Sequence, residues 1–308
     1  MRVSVVIVTY RRAWSLGYAL ESLVRQSRPP DEVVVVLKPS GDGSEEVLRQ
    51  YQDKLPIRVI IQERGNVTDA VEMGYRSATG DLVLYMDDDA VAHEEWVRRY
   101  VSFFADVKDA GGAGGVTYRA LYTNGEIEKT ELIMYPEAPT KNIFYRKPLR
   151  FFQGYCGWIS KSGFMGLRSC QEPIVRSSDI SGVNMGWRKE AIEDCPLSSL
   201  YRKSKRGFWF EQTLALCARR KGYHTYVFRD PSIAPIVWHI QHIDSLTRKP
   251  GFWSEFWIHY DRVANFWRLK KLGADVSYPA YFAAIIVSLR RKPLPRLLAT
   301  LYGLITRT

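Results

Sequence analysis

Residues 84–92 read LYMDDDAVA: a short apolar run that ends in three successive carboxylates, Asp87, Asp88 and Asp89. Like charges this close raise one another's pKa unless something positive sits among them. The run is the end of DLVLYM (81–86), and the segments before it decide what kind of element it is. VSVVIVTY (3–10), EVVVVL (32–37) and IRVIIQE (57–63) are β-branched runs of the kind buried on both faces of a parallel sheet. Leu16, Leu20, Leu23 and Val24 recur at helical spacing before the breaker Pro29-Pro30. Ser44 reads as the N-cap of a helix reaching Tyr51, and a further helix is expected over 68–78. Strand and helix alternate up to the fourth strand, which is the pattern of a doubly wound α/β sheet. Ligands of such sheets bind beyond the carboxyl ends of the strands, where the three aspartates sit.

Past Val91 the pattern is mixed, with a helix expected at 94–105, then the Gly-rich stretch GGAGGV (111–116) and loops. From Gly251 the character changes. Phe252, Trp253, Phe256, Trp257, Tyr260, Val263, Ala264 and Trp267 form an aromatic stripe at helical spacing. VSYPAYFAAIIVSL (276–289) is apolar but too short to span a bilayer, and Arg290, Arg291 and Lys292 follow it. The net charge is +11, and from Arg248 onward eleven Lys and Arg face only three acids. Such a surface attracts phosphates, whether of nucleotides, nucleic acid or lipid head groups. Aromatic and basic residues do not interleave as nucleic-acid stacking platforms require, so nucleic acid is not the expected partner. The C-terminal region suits either an interfacial membrane location or packing onto the domain before it. Four cysteines without CxxC spacing read as reduced thiols, and nothing at the start resembles a signal peptide. A cytosolic setting, peripheral at the inner face of the cell membrane, is the expectation.

Carboxylates at the end of a buried strand suit a hard divalent cation, Mn²⁺ or Mg²⁺, of the kind that bridges nucleotide phosphates. The ordered set VSVVIVTYRR, LESLVRQSRPPDEVVVV, ATGDLVLYMDDDA, GVNMGWRKEAI (182–192) and FEQTLALCARRKGY (210–223) resembles the family 2 glycosyltransferases. The resemblance spans roughly residues 3–240. It implies a GT-A fold, a Rossmann-like, mostly parallel sheet flanked by helices, here with a C-terminal amphipathic helical extension. It divides the chain into a nucleotide-sugar half (1–92), an acceptor and catalytic half (93–245) and a basic helical region (246–308).

The resemblance also implies roles. Thr9, Tyr10 and Arg11 would hold the nucleotide base, with Tyr10 stacking on its ring. Asp89 would bind the metal directly, and Asp87 or Asp88 the ribose or the metal's waters. His239 would complete the metal site, with His242 a weaker competitor. Glu211 would be the general base of an inverting transfer from a UDP-, GDP- or dTDP-sugar to a hydroxyl on a lipid-linked acceptor or growing glycan. Two departures from the family pattern stand out. Phe210-Glu211 replaces the usual acidic pair, and Lys38 stands where an acid is expected, leaving Asp42 and Arg64 as the nearby nucleotide contacts. Arg202, Lys203, Lys205 and Arg206 are expected in a loop closing over phosphate, and Trp187 and Trp209 as faces for sugar rings. The rivals are a nucleotidyltransferase, which would release pyrophosphate, and a non-enzymatic basic nucleic-acid-binding protein.

Overall fold

The β-branched runs form the strands they announce. The structure, a computed structural model, describes residues 1–123, 125–133, 139–241, 251–290 and 292–306; His242 and Arg291 lie outside them. The first half runs β1 (Val3–Thr9), α1 (Ala13–Val24), β2 (Glu32–Leu37), α2 (Ser44–Tyr51), β3 (Ile57–Ile61), α3 (Val67–Ser77) and β4 (Leu82–Met86). Then come β5 (Ala90–Ala92), α4 (Trp96–Asp106), β6 (Ala110–Gly114), β7 (Val116–Thr123), β8 (Glu126–Ile133), β9 (Gly157–Ile159), β10 (Met165–Leu167) and β11 (Ile174–Arg176). They are followed by β12 (Asn184–Arg188), α5 (Lys189–Ile192), α6 (Leu197–Tyr201), α7 (Phe210–Arg220), β13 (His224–Phe228) and β14 (Ile236–Gln241). The chain closes with α8 (Phe252–Lys271), α9 (Tyr278–Ser288) and α10 (Pro293–Thr306).

Eight strands form the main sheet in the order β11-β13-β6-β12-β4-β1-β2-β3. β4, β1, β2 and β3 are parallel, and β12 runs antiparallel between β4 and β6. A second sheet, β5-β14-β7-β8, stands at the carboxyl end of β4. Most of the Gly-rich stretch is β6, inside the main sheet. A Cβ on Gly112 would lie 2.3 Å from the Trp187 ring and one on Gly111 2.5 Å from Tyr223. Glycine is there because aromatic rings fill the space a side chain would need. Trp187 is therefore wholly buried core rather than a sugar platform.

The two sheets are joined by Asn184. Its Oδ1 accepts from Trp96 Nε1 and the Tyr100 hydroxyl, both at 2.8 Å. Its Nδ2 donates to the carbonyls of Val116, at the start of β7, and Pro235, just before β14. The buried amide thus makes four bonds, leaving no group of its own unsatisfied.

The cysteine expectation is corrected. The four cysteines are joined as Cys156–Cys170 and Cys195–Cys217, with Cα atoms 6.2 and 5.8 Å apart. Packing of α7 against α5 brings the second pair together, which spacing along the chain could not reveal. The cysteine argument for a reducing compartment falls with it. Of the aromatic stripe of α8, Phe256, Tyr260, Val263 and Ala264 are buried against α9 and α10, with Phe266 beside them, while Phe252 and Trp253 at its start are exposed. Within α8, Arg268 and Asp261 form a fully buried ion pair at 2.7 Å. The Arg268 guanidinium lies over the Tyr201 ring at 3.7 Å, and its Nε donates to the Leu200 carbonyl. Asp261 Oδ2 accepts from Ser204 Oγ and from the Phe208 backbone N–H. The helix thereby grips the loop leading into α7.

Asn184→Ala should cost about 3 kcal/mol or more, since each buried group left without a partner costs roughly 1–3 kcal/mol. Urea denaturation measures this; a loss well under that value would mean that the amide does not join the sheets.

Candidate active site

Every residue of β4 is buried, and the chain turns sharply at its end, with Ala90 N–H donating to the Asp87 carbonyl at 3.1 Å. β5 begins at once and pairs antiparallel with β14, placing His239 opposite Ala90. Ile240 N–H donates to the Asp89 carbonyl at 2.8 Å, locking this register. His239 Nε2 consequently lies 2.9 Å from Asp89 Oδ1 and 3.7 Å from Asp87 Oδ2. One oxygen each from Asp87 and Asp89 and one His239 nitrogen fall within 4.8 Å of one another. Two carboxylate oxygens and an imidazole are a donor set that fits Mn²⁺ or another hard divalent cation. Asp87 is the more open of the three, and Asp89 and His239 are buried.

Arg12 occupies the other side of the triplet. Its Nη2 is 3.4 Å from Asp89 Oδ2 and its Nε 3.9 Å from Asp88 Oδ1, with all three side chains buried. Burial and the Asp89 carboxylate push Asp88 well above the usual carboxylate range, and Arg12 opposes them. Sequence reasoning passed over Arg12, the second arginine of TYRR. Its signal was adjacency: β1 and β4 are parallel neighbours, so the residues following each emerge at one end of the sheet.

The loop after β1 lies beside the carboxylates. Thr9 is buried, and Tyr10 is half-buried between the Arg11 guanidinium, 5.1 Å from its ring, and Lys38 Nζ, at 5.5 Å. Arg11 takes φ 57°, a left-handed conformation that turns the chain and sends Arg12 inward. Asp42 is engaged within the protein: it accepts from Ala13 N–H at the start of α1 and from the Ser40 and Ser44 hydroxyls. Arg64 is exposed beyond β3, the edge strand, three strands from β4.

Glu211 reaches the same end of the sheet from the opposite half of the chain. Trp209, at φ 71°, turns the backbone into α7 and puts Glu211 in its first turn. Glu211 Oε1 accepts from Gly182 N–H at 3.1 Å, just before β12, whose Asn184 pairs with Met86 of β4. Burial lifts Glu211 to about 8, with the negative charges of Asp87 and Asp179 adding to it. The basic loop before it is engaged with the C-terminal helices. Lys203 Nζ donates to the Thr306 carbonyl, Arg206 to Ser254 Oγ, and Lys205 lies over the Trp257 ring. Trp209 is half-buried, stacked on Phe208 with Arg262 5.6 Å from its ring.

Residues 4–168, more than half of the chain, match the Glycosyl transferase family 2 family. The chain belongs to that family. Among curated relatives it is 33% identical over 122 residues to the glucosyl-dolichyl phosphate glucuronosyltransferase of Haloferax volcanii, covering 37% of this chain and 38% of that protein. The aligned stretches thus span little more than a third of such relatives. The fold matches S. aureus TarS 1-349 in complex with UDP-GlcNAc, with TM-score 0.54 at 15% identity over 86% of this chain and 66% of that one. It also matches the mannosyltransferase PcManGT from Pyrobaculum calidifontis in complex with GDP-Man and Mn²⁺, with TM-score 0.52 at 17% identity over 99% and 74% of the two chains. This family 2 glycosyltransferase therefore has the GT-A fold. Within it, Asp87, Asp88, Asp89, His239 and Glu211 converge, while Arg64 lies apart.

If Asp87, Asp89 and His239 form the cation site, Asp89→Asn and His239→Ala should each weaken Mn²⁺ binding beyond the roughly 10–100-fold that loss of an outer partner costs. Electron paramagnetic resonance titration of free Mn²⁺ reads this without turnover; unchanged affinity in both variants would exclude the cluster.

Proposed function

We propose that this chain is an inverting, metal-dependent hexosyltransferase that moves a sugar from a nucleoside diphosphate sugar to a hydroxyl on a lipid-linked acceptor or a growing glycan. The observation that carries the reading is the half-buried Glu211 carboxyl, held by Gly182 N–H and within electrostatic reach of Asp87 of a cluster suited to a divalent cation. The relatives support it to the extent that their names record sugar transfer and nucleotide-sugar complexes.

Tyr10, held between Arg11 and Lys38, stacks on the nucleotide base, and Thr9 closes the pocket behind it. The open side of Asp87 takes a ribose hydroxyl, while Asp88 stays turned to Arg12. Asp87, Asp89 and His239 hold Mn²⁺ or Mg²⁺, which when bound offsets the negative charge of the departing diphosphate. Glu211 accepts the proton of the acceptor hydroxyl as that oxygen attacks the anomeric carbon from the side opposite the diphosphate. The new C–O bond forms as the bond to the diphosphate oxygen breaks, so the configuration inverts. Arg12 keeps Asp88 and Asp89 together in the absence of a cation. A lipid-linked acceptor would place the enzyme at the inner face of the cell membrane.

A panel of UDP-, GDP- and dTDP-sugars with Mn²⁺ should release a nucleoside diphosphate for one base; release of pyrophosphate would make the chain a nucleotidyltransferase instead. Glu211→Gln should lower kcat by about 10²–10⁴-fold, as loss of a positioned base does, with nucleotide-dependent thermal stabilisation retained.

Only the ionised form of Glu211 can take a proton, and burial holds its pKa at about 8. In the wild type kcat/KM should therefore rise about tenfold per pH unit up to that point and then level. A flat profile between pH 6 and about 8 would remove Glu211 from the role.

A further inference from the structure

The helices of the first half turn their apolar sides inward; α9 and α10 do not. On α9, Tyr281 and Ile285 pack against Phe266 of α8, yet Tyr278, Phe282 and Ile286 face outward, Ile286 at 68% exposure. On α10, Ala299 packs against the α8 cluster of Phe256 and Tyr260, and Leu304 against that of Val263 and Phe266. Leu294, Leu298, Leu301 and Ile305 are exposed, Ile305 at 81%. Their spacing of four, three and four residues is that of a single helical stripe, so this outer face is apolar by design of the sequence. Trp253, at the start of α8, is 66% exposed beside Phe256, whose ring neighbours Tyr302 of α10.

The charges around this face have one sign. From Val276 to the end the sequence has no Asp or Glu and five arginines and lysines. Lys270 Nζ bonds the Tyr278 hydroxyl at the edge of α9, and Lys271 and Arg290 are exposed. Lys292 and Arg296 are partly neutralised by Glu255 of α8. A second copy of the chain seated here would bring cations mostly against cations, since Glu255, the acid beside this face, is already paired with Lys292 and Arg296. An anionic surface meets no such repulsion. No helix among the described residues is long and apolar enough to cross a membrane, so the face suits lying on a bilayer rather than spanning it.

We propose that the outer face of α9 and α10, and not the aromatic stripe of α8, docks the protein onto a bilayer containing anionic lipid. Leu and Ile side chains enter the acyl boundary, Tyr278 and Trp253 sit at head-group level, and Lys270, Lys271 and Arg290 meet lipid phosphates. Docking deepens the reading of a lipid-linked acceptor but does not require it, because it is measured without donor or acceptor.

The full chain, sedimented with vesicles of phosphatidylcholine plus phosphatidylglycerol, should bind, and should bind far less to phosphatidylcholine alone. Ile286→Glu combined with Ile305→Glu should weaken binding by about tenfold or more with no change in melting temperature, since both side chains are exposed. Lys270→Gln with Lys271→Gln should weaken binding to the mixed vesicles and flatten its salt dependence. No binding to either vesicle, equal binding to both, or full binding by the Ile286/Ile305 variant would overturn the proposal. So would a dimer in solution that Ile305→Glu splits, which would assign the face to a second copy. A chain that docks but releases no nucleoside diphosphate would leave the docking intact and refute the proposed reaction.

Discussion

One buried amide decides where the chemistry can happen. Asn184 bonds the two indole and phenol donors of α4 on one side and the carbonyls that open β7 and begin β14 on the other. Because β14 is held there, its pairing with β5 is in register, and His239 arrives beside Asp89 across 150 residues of chain. Gly115 belongs to the same constraint: a Cβ on it would come within 2.2 Å of the Pro235 carbonyl oxygen. The approach of the two sheets is therefore set by a residue that bonds and one that has no side chain.

The acidic triplet is stable as built because two side chains of opposite tendency flank it. Arg12 spans Asp88 and Asp89 from β1, and His239 spans Asp87 and Asp89 from β14. The carboxylates thus divide their roles by neighbour rather than by position in the run. Asp88 is buried and turned to the guanidinium, Asp89 is buried between guanidinium and imidazole, and Asp87 is the open carboxylate. Glu211, brought in by α7, adds a further acid whose burial keeps it a weak one.

The α/β half was legible in the sequence because buried parallel strands are continuous β-branched runs, a local signal: 3–10, 32–37, 57–63 and 81–86 contain β1 to β4. β6 was not, because its glycines answer to the rings of Trp187 and Tyr223, which approach from distant sequence. The cysteine pairs were missed for the same reason, and the α8 stripe left two readings open because periodicity says that a face is apolar, not which side the rest of the chain takes. Asp87, Asp88 and Asp89 could be singled out from charge and position alone. Glu211 and His239 came only through resemblance, and Arg12, two residues past Thr9, needed the strand neighbours to be known.

Arg268 and Asp261 have a consequence for where this enzyme ends. Their contacts to Leu200, Tyr201, Ser204 and Phe208 are the underside of the loop that carries the chain into α7. A boundary drawn after β14 would strip that loop of its floor and leave a backbone N–H, a carbonyl and a hydroxyl facing solvent. α8 is thus a floor for the loop that leads into α7 rather than part of a detachable tail. Chimeras that exchange it between relatives must carry the 200–210 loop along.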